Sequence, residues 1–263
     1  MPDLVVSGLS KRFGGVIALD DVSFTASEGS IVGLIGPNGA GKTTVLNCIS
    51  RFYTPELGSV SFGDTNVLKL SPSRVIGTGI GRTFQHAELF KSMSVEDNLL
   101  VGLHRRVKTS AWASLLFPPA ALGEEREMRR NADSVLELLG LTRYARSNAG
   151  ALPFGLQKRV DLARALVSSP GLILLDEPAA GLSGEERSAL GGLIPRIRDE
   201  LRVTMLLVEH HMALVMGVSD RLVVLDFGRK IAEGTPEEVQ NDARVIEAYL
   251  GQPLGTEEND AAP

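Results

Sequence analysis

The sequence predicts an α/β fold in which a mostly parallel sheet is interrupted by one helical insertion. Three observations carry that prediction. From Ser30 to Ile49 a short apolar run, a glycine-rich turn and a helical pattern follow one another. Further strand-like runs recur at Gly171 to Leu175, Val203 to Val208 and Leu222 to Leu225, with helical spacing between them. From about Ser94 to Val167 the patterns are helical, with no convincing strand. This order suggests one interrupted core and not two domains in series.

Taken in order, Val5-Val6-Ser7 and Val22-Ser23-Phe24 read as strands divided by a loop at Lys11-Arg12-Phe13-Gly14-Gly15. Glu28-Gly29 turns the chain into the strand Ser30 to Ile35. Next comes Gly36-Pro37-Asn38-Gly39-Ala40-Gly41-Lys42-Thr43-Thr44, which fits the phosphate-loop pattern G-x-x-x-x-G-K-[ST]. A strand, a glycine turn and a helix N-terminus gather backbone N–H groups around one point, and the helix dipole adds positive potential. That suits a polyphosphate. Lys42 is expected to pair with the β- and γ-phosphates, and the Thr43 hydroxyl to ligate Mg²⁺. Glycine lets the backbone approach the phosphate oxygens.

Gly58 to Phe62 reads as another short strand, closed by Gly63-Asp64. Ser71-Pro72 starts a helix, with serine as cap and proline at the first position. Gly81-Arg82-Thr83-Phe84-Gln85 returns as a strand that ends on a glutamine. Ser94-Val95-Glu96-Asp97 opens a capped helix, continued by Leu99, Leu100 and Leu103. Ala132, Val135, Leu136, Leu138 and Leu139 repeat at helical spacing until Gly140 stops them. Glu185 to Leu201 has a helical stripe but contains Gly191-Gly192 and Pro195. An interior proline costs about 3 kcal/mol, so a kink or break is expected between Gly191 and Pro195.

Composition narrows the class. Hydrophobic residues make up 43% and charged residues 22%, an ordinary globular balance. A net charge of −5 argues against a nucleic-acid partner. The single cysteine, Cys48, has no internal disulfide partner, which is consistent with a reducing compartment. No basic-then-apolar leader opens the sequence, and the apolar stretch Ala111 to Leu122 is short and carries Pro118-Pro119. Any membrane role is therefore expected to come through a partner.

A second motif supplies chemistry. Leu172-Ile173-Leu174-Leu175-Asp176-Glu177-Pro178 is an apolar strand running into two acids. With a phosphate loop in the same chain, Asp176 is expected to hold the metal through its water shell and Glu177 to polarise the attacking water. Paired acids alone also commonly end a strand at the surface.

With these motifs in this order, the chain resembles the ATP-binding-cassette (ABC) ATPases from about Leu4 to Leu250. The resemblance implies a phosphate-loop NTPase core with an antiparallel N-terminal β-subdomain and an inserted helical subdomain. One ABC ATPase domain would cover 1–251, with its core at about 1–85 and 168–251 and the helical subdomain at about 86–167. Residues 252–263 read as a disordered acidic tail. Phe13 stands where such proteins stack an aromatic residue on adenine, and it reads equally as a core phenylalanine. Gln85 matches the glutamine that closes on Mg²⁺ and the attacking water. His210, after Leu206-Leu207-Val208-Glu209, matches the switch histidine that contacts the γ-phosphate, and His211 beside it reads as solvent-facing.

The signature segment departs from the family pattern. Leu152-Pro153-Phe154-Gly155-Leu156-Gln157 stands where most members show Leu-Ser-Gly-Gly-Gln. Pro153 offers neither hydroxyl nor N–H, so phosphate contact would fall to the Gly155 backbone, acting in trans. Proline and an aromatic here, Glu177-Pro178-Ala179-Ala180-Gly181-Leu182, and the ending Glu247-Ala248-Tyr249-Leu250-Gly251 look like the subgroup serving branched-chain amino-acid uptake. Leu156 departs even from that subgroup, where glutamine usually follows the glycine. Ser183, where many cassettes carry aspartate, forms the sequence of a capping box with Glu186, and a dimer contact is the alternative.

The resemblance implies an ATPase using ATP and Mg²⁺. Two cassettes, identical or closely related, would sandwich two nucleotides. Integral membrane permease subunits would be the other partners, placing the chain in the cytoplasm against the inner face of the membrane. Docking is expected within His86 to Leu122, through Phe90, Trp112, Leu115, Leu116 and Phe117 among His104-Arg105-Arg106 and Lys108, although a solvated loop or core patch explains part of this. A soluble ABC ATPase of cluster assembly or repair, or the ATPase of a lipid or lipopolysaccharide exporter, remain the alternatives.

Overall fold

A long antiparallel hairpin opens the chain: β1 (Leu4–Phe13) and β2 (Val16–Ala26). Lys11, Arg12 and Phe13 pair with Leu19, Ile17 and Val16, so the expected loop shrinks to Gly14-Gly15. The polar side chains of Lys11 and Arg12 hide this pairing in the sequence. The computed structural model describes residues 2–83, 89–103 and 118–250.

Next come β3 (Ile31–Ile35), α1 (Lys42–Ile49), β4 (Leu57–Phe62) and β5 (Thr65–Asn66). The hairpin joins β4 and β5 in a four-stranded antiparallel sheet of order β2-β1-β4-β5. The short helix α2 (Pro72–Val75) starts at Pro72 as expected. Its serine makes no side-chain cap, because Ser71 Oγ meets Ser73 Oγ at 3.2 Å. After it, β6 (Ile80–Arg82) is three residues long, and Gln85 lies outside the described residues.

The helical stretch follows with α3 (Val95–Leu103), α4 (Pro118–Leu138) and α5 (Phe154–Leu166). Ser94 caps α3 by accepting from the Asp97 N–H at 3.0 Å. Leu99, Leu103, Leu136, Leu139, Val160 and Ala163 pack into one cluster that continues to Ile173 and Leu175 of the sheet. Among the described residues from 94 to 167 the only β pairing is a single bridge, Ser94 with Asn148.

Four strands return the chain to the larger sheet. These are β7 (Leu172–Asp176), β8 (Thr204–Val208), β9 (Arg221–Asp226) and β10 (Arg229–Gly234), with α6 (Gly184–Leu201) and α7 (Met212–Val218) between them. The order is β10-β9-β3-β8-β7-β6, parallel except for β10. Every residue of β3, β7 and β8 is buried, as expected for strands covered on both faces. Two short helices, α8 (Pro236–Gln240) and α9 (Ala243–Leu250), close the described chain.

The expected break in α6 is absent: one helix runs from Gly184 to Leu201 with Pro195 inside it. Leu190, Ile194 and Ile197 are all buried on its inner face. At about 1.5–3 kcal/mol for each buried aliphatic side chain, their packing exceeds the proline cost of about 3 kcal/mol. At its start Ser183 and Glu186 form both hydrogen bonds of a capping box. Ser183→Ala is therefore expected to lower stability by about 1 kcal/mol in urea unfolding, and an unchanged midpoint would remove that role.

Candidate nucleotide site

The phosphate loop joins the end of β3 to the start of α1, and its glycines are demanded by neighbouring backbone. A Cβ on Gly36 (φ 146°) would lie 2.0 Å from the Leu225 carbonyl oxygen, and one on Gly41 (φ 103°) 2.6 Å from that of Ala18. Glycine is thus required here by crowding from the protein itself, in addition to any approach of a ligand. Lys42 is buried, and its Nζ donates to the carbonyls of Gly36 at 2.6 Å and Pro37 at 2.9 Å. Burial lowers its pKa, and the Glu177 carboxylate partly offsets that.

A cleft of about 210 Å³ is lined by Ala18, by Asn38, Gly39, Ala40, Gly41, Lys42, Thr43 and Thr44, and by Glu177 and His210. Fold and site thus bring together residues more than 130 positions apart. Glu177 follows β7 and holds a left-handed backbone (φ 47°), unusual for a residue with a side chain. Its Oε1 lies 2.6 Å from His210 Nε2. Sequence reasoning points His210 at phosphate; here it holds the carboxylate. His211 is partly exposed at the start of α7, while the His210 side chain is 41% exposed.

Asp176 is buried at the end of β7, outside that lining. Its Oδ2 accepts from Arg82 Nη2 at 2.9 Å, and Arg82 Nη1 also donates to Asn47 and Ser50 on the Lys42 helix. Thr43 and Asp176 offer hard oxygen donors, which fit Mg²⁺. Among the described residues no three His, Cys, Asp or Glu side chains gather as a metal cage. A cation here would share its ligands with the nucleotide phosphates, as Mg²⁺ commonly does.

Phe13 is not a core phenylalanine: it is 43% exposed. Tyr53 meets its ring edge-on at 4.9 Å, and Lys11 Nζ lies 5.1 Å from its centroid. Gly155 is not among the residues lining the cleft; it is buried at the first turn of α5, where a Cβ would strike the Glu186 carboxylate of its own chain. Pro153 serves as the N-terminal cap residue, its carbonyl accepting from Leu156 and Gln157 N–H at 3.0 Å each. Leu156 packs against the main apolar cluster, which gives a reason for an aliphatic side chain there.

Sequence reasoning missed Glu209. It is 2% exposed, and its Oε1 accepts from Ala179 N–H at 2.7 Å while Oε2 accepts from His210 N–H at 3.0 Å. An acid following Leu206-Leu207-Val208 was its only signal.

Comparison with known proteins agrees with this geometry. The family described as ABC transporter matches residues 19–180, and the family described as branched-chain amino acid ATP-binding cassette transporter matches residues 229–253. The chain is 45% identical over 95% of its length to the high-affinity branched-chain amino acid transport ATP-binding protein LivG of Salmonella typhimurium, covering 98% of that protein. It is 44% identical, with the same coverage, to the corresponding protein BraF of Pseudomonas aeruginosa. A crystal structure of a nucleotide-free ATP-binding cassette from an ABC transporter superposes with a TM-score of 0.81 at 33% identity, covering 96% of this chain and 100% of that one. With a phosphate loop, a strand-end acid pair and matches of this extent, the chain belongs to the ATP-binding-cassette ATPases of the ABC transporter family.

Proposed function

We propose that this chain is the ATP-hydrolysing subunit of an importer for branched-chain amino acids or related small solutes. The observation that carries the chemistry is the convergence of the Lys42 loop, Glu177 and His210 on one cleft. The solute class is supported by the relatives that are branched-chain amino-acid transport proteins.

In this reading the loop amides and Lys42 hold the β- and γ-phosphates, and Phe13 offers its exposed ring to adenine. Glu177 takes a proton from the attacking water as its oxygen bonds to the γ-phosphorus. The bond to the bridging oxygen breaks, leaving ADP and phosphate. His210 holds the Glu177 carboxylate in the geometry that this requires. Thr43, Gln85 and Asp176 would hold Mg²⁺, which neutralises phosphate charge when bound. Gly155 lies outside the lining of its own chain's cleft, and in this reading its backbone meets the phosphate held by a second cassette. The working unit in this reading is a dimer, identical or mixed.

No helix among the described residues is long and apolar enough to cross a membrane. Coupling to permease subunits at the cytoplasmic face therefore needs a docking surface. Of the sequence-predicted docking residues, Phe90 is described and is 46% exposed, while Trp112, Leu115, Leu116 and Phe117 lie outside the described residues. Near β6 and α3 a cleft of about 360 Å³ is lined by Phe52, Val75, Ile76, Ile80 and Val101 among others. Ile76 is more than half exposed, as is Phe52, whose ring also faces the Arg82 guanidinium at 5.5 Å, so the rim of this cleft presents apolar surface to a partner. Purification from membranes is expected to recover the chain with a polytopic partner. Ile76→Glu is expected to reduce that recovery severalfold while leaving ATP binding intact. Full recovery with the variant would remove this surface from the docking site.

A further inference from the structure

Residues 50–56, between α1 and β4, have no part in the chemistry above, yet they meet the ring assigned to adenine. Arg51 takes a left-handed backbone (φ 64°) just past the end of α1, and Tyr53 N–H then donates back to the Asn47 carbonyl at 3.1 Å. The turn stays attached to the helix, so α1 sets where Tyr53 stands. Its ring meets that of Phe13 with 4.9 Å between centroids and 73° between planes, the T-shaped geometry that aromatic pairs favour.

Glu56 ties the same turn to the end of β1. Its Oε1 accepts from Lys11 Nζ at 2.8 Å and its Oε2 from Arg12 N–H at 2.9 Å, while its own N–H donates to the Ser10 carbonyl at 2.9 Å. Lys11, held in this way, places its ammonium 5.1 Å from the Phe13 centroid. Phe13 is the last residue of β1 and 43% exposed, so the core does little to fix its ring. The turn after α1 supplies that constraint. We propose that Tyr53 is a positioning residue for Phe13. The helix that opens on Lys42 closes on the turn that steadies the base-stacking ring, so phosphate grip and base platform keep one spacing. This role rests on the adenine reading of Phe13 given above.

Calorimetry of the full-length chain with ATP and, separately, with inorganic tripolyphosphate, both with magnesium, tests it. Tripolyphosphate reads the phosphate grip alone, and ATP reads grip and base together. Tyr53→Leu keeps apolar bulk at an exposed position, so the fold should hold. It is expected to weaken ATP about two- to tenfold, the worth of one aromatic pair, with tripolyphosphate affinity unchanged. Tyr53→Phe keeps the ring and should bind both as the wild type does. In the Phe13→Ala background Tyr53→Leu should cost nothing further, because a positioning residue acts only through the ring it positions. Wild-type ATP affinity in Tyr53→Leu, with Phe13→Ala weakening ATP, would overturn the proposal. So would a loss that persists in the Phe13→Ala background, which would make Tyr53 a contact in its own right. ATP affinity unchanged by Phe13→Ala would overturn the adenine reading itself, and the role of Tyr53 with it.

Discussion

Glu177→Gln is expected to cut ATP turnover by at least about a hundredfold while ATP still binds, since a positioned general base contributes on the order of 10²–10⁴. Glutamine keeps the shape of the side chain and accepts through one oxygen, but it has no basic pair with which to take a proton. The Oε1 contact to His210 at 2.6 Å can be kept by the amide carbonyl, so the cleft should hold its form. In the proposed dimer, ATP binding closes the two cassettes on each other and hydrolysis with product release reopens them. The variant should therefore accumulate as an ATP-bound dimer, seen as doubled mass in size-exclusion chromatography with light scattering. Turnover at the wild-type rate would remove Glu177 as the base.

Lys42→Ala should abolish measurable ATP binding in calorimetry at micromolar protein. In the structure the ammonium is parked on two loop carbonyls, Gly36 and Pro37, so a phosphate must draw it away from both. The exchange is favourable because the ammonium gives up neutral carbonyl acceptors for an anionic phosphate, so that both partners of the new pair carry charge. The wild-type site should also show a pH signature. Burial lowers the Lys42 pKa, so the lysine loses its proton at lower pH than an exposed one. ATP affinity should fall on the alkaline side of neutrality with an onset earlier than ordinary lysine titration gives. An affinity independent of both the substitution and alkaline pH would contradict the assigned role.

The core was legible because its strands are buried on both faces and therefore read as uninterrupted apolar runs, as in Leu172 to Leu175 and Val203 to Val208. The phosphate loop was legible because glycine, lysine and threonine at fixed spacing are a local requirement. β10 was not legible. Its hairpin turn places Phe227 (φ 41°) and Gly228 (φ 80°) in the left-handed region, a geometry usually announced by Asn-Gly. A phenylalanine in that position gives no local hint. Pro195 misled in the opposite sense, because a helix-breaking residue is visible in sequence while the burial that outweighs it is tertiary.

The site divides in the same way. Lys42, Asp176 and Glu177 belong to motifs and could be named. Arg82 on Asp176 and Tyr53 on Phe13 are contacts between distant segments, with no spacing to mark them. The signature departures become intelligible only with neighbours in view: Leu156 packs inward, and the Phe154 ring leaves room for nothing larger than glycine at 181.

Buried Glu209 has a mechanical consequence. One of its oxygens holds the turn that follows Glu177, the other the turn that carries His210. Separating those two tips would strand a carboxylate in the interior, at about 1–3 kcal/mol or more for the unmet group. Base and histidine therefore travel as one rigid jaw. Any nucleotide-driven motion that left these bonds intact would have its hinge outside this pair of turns.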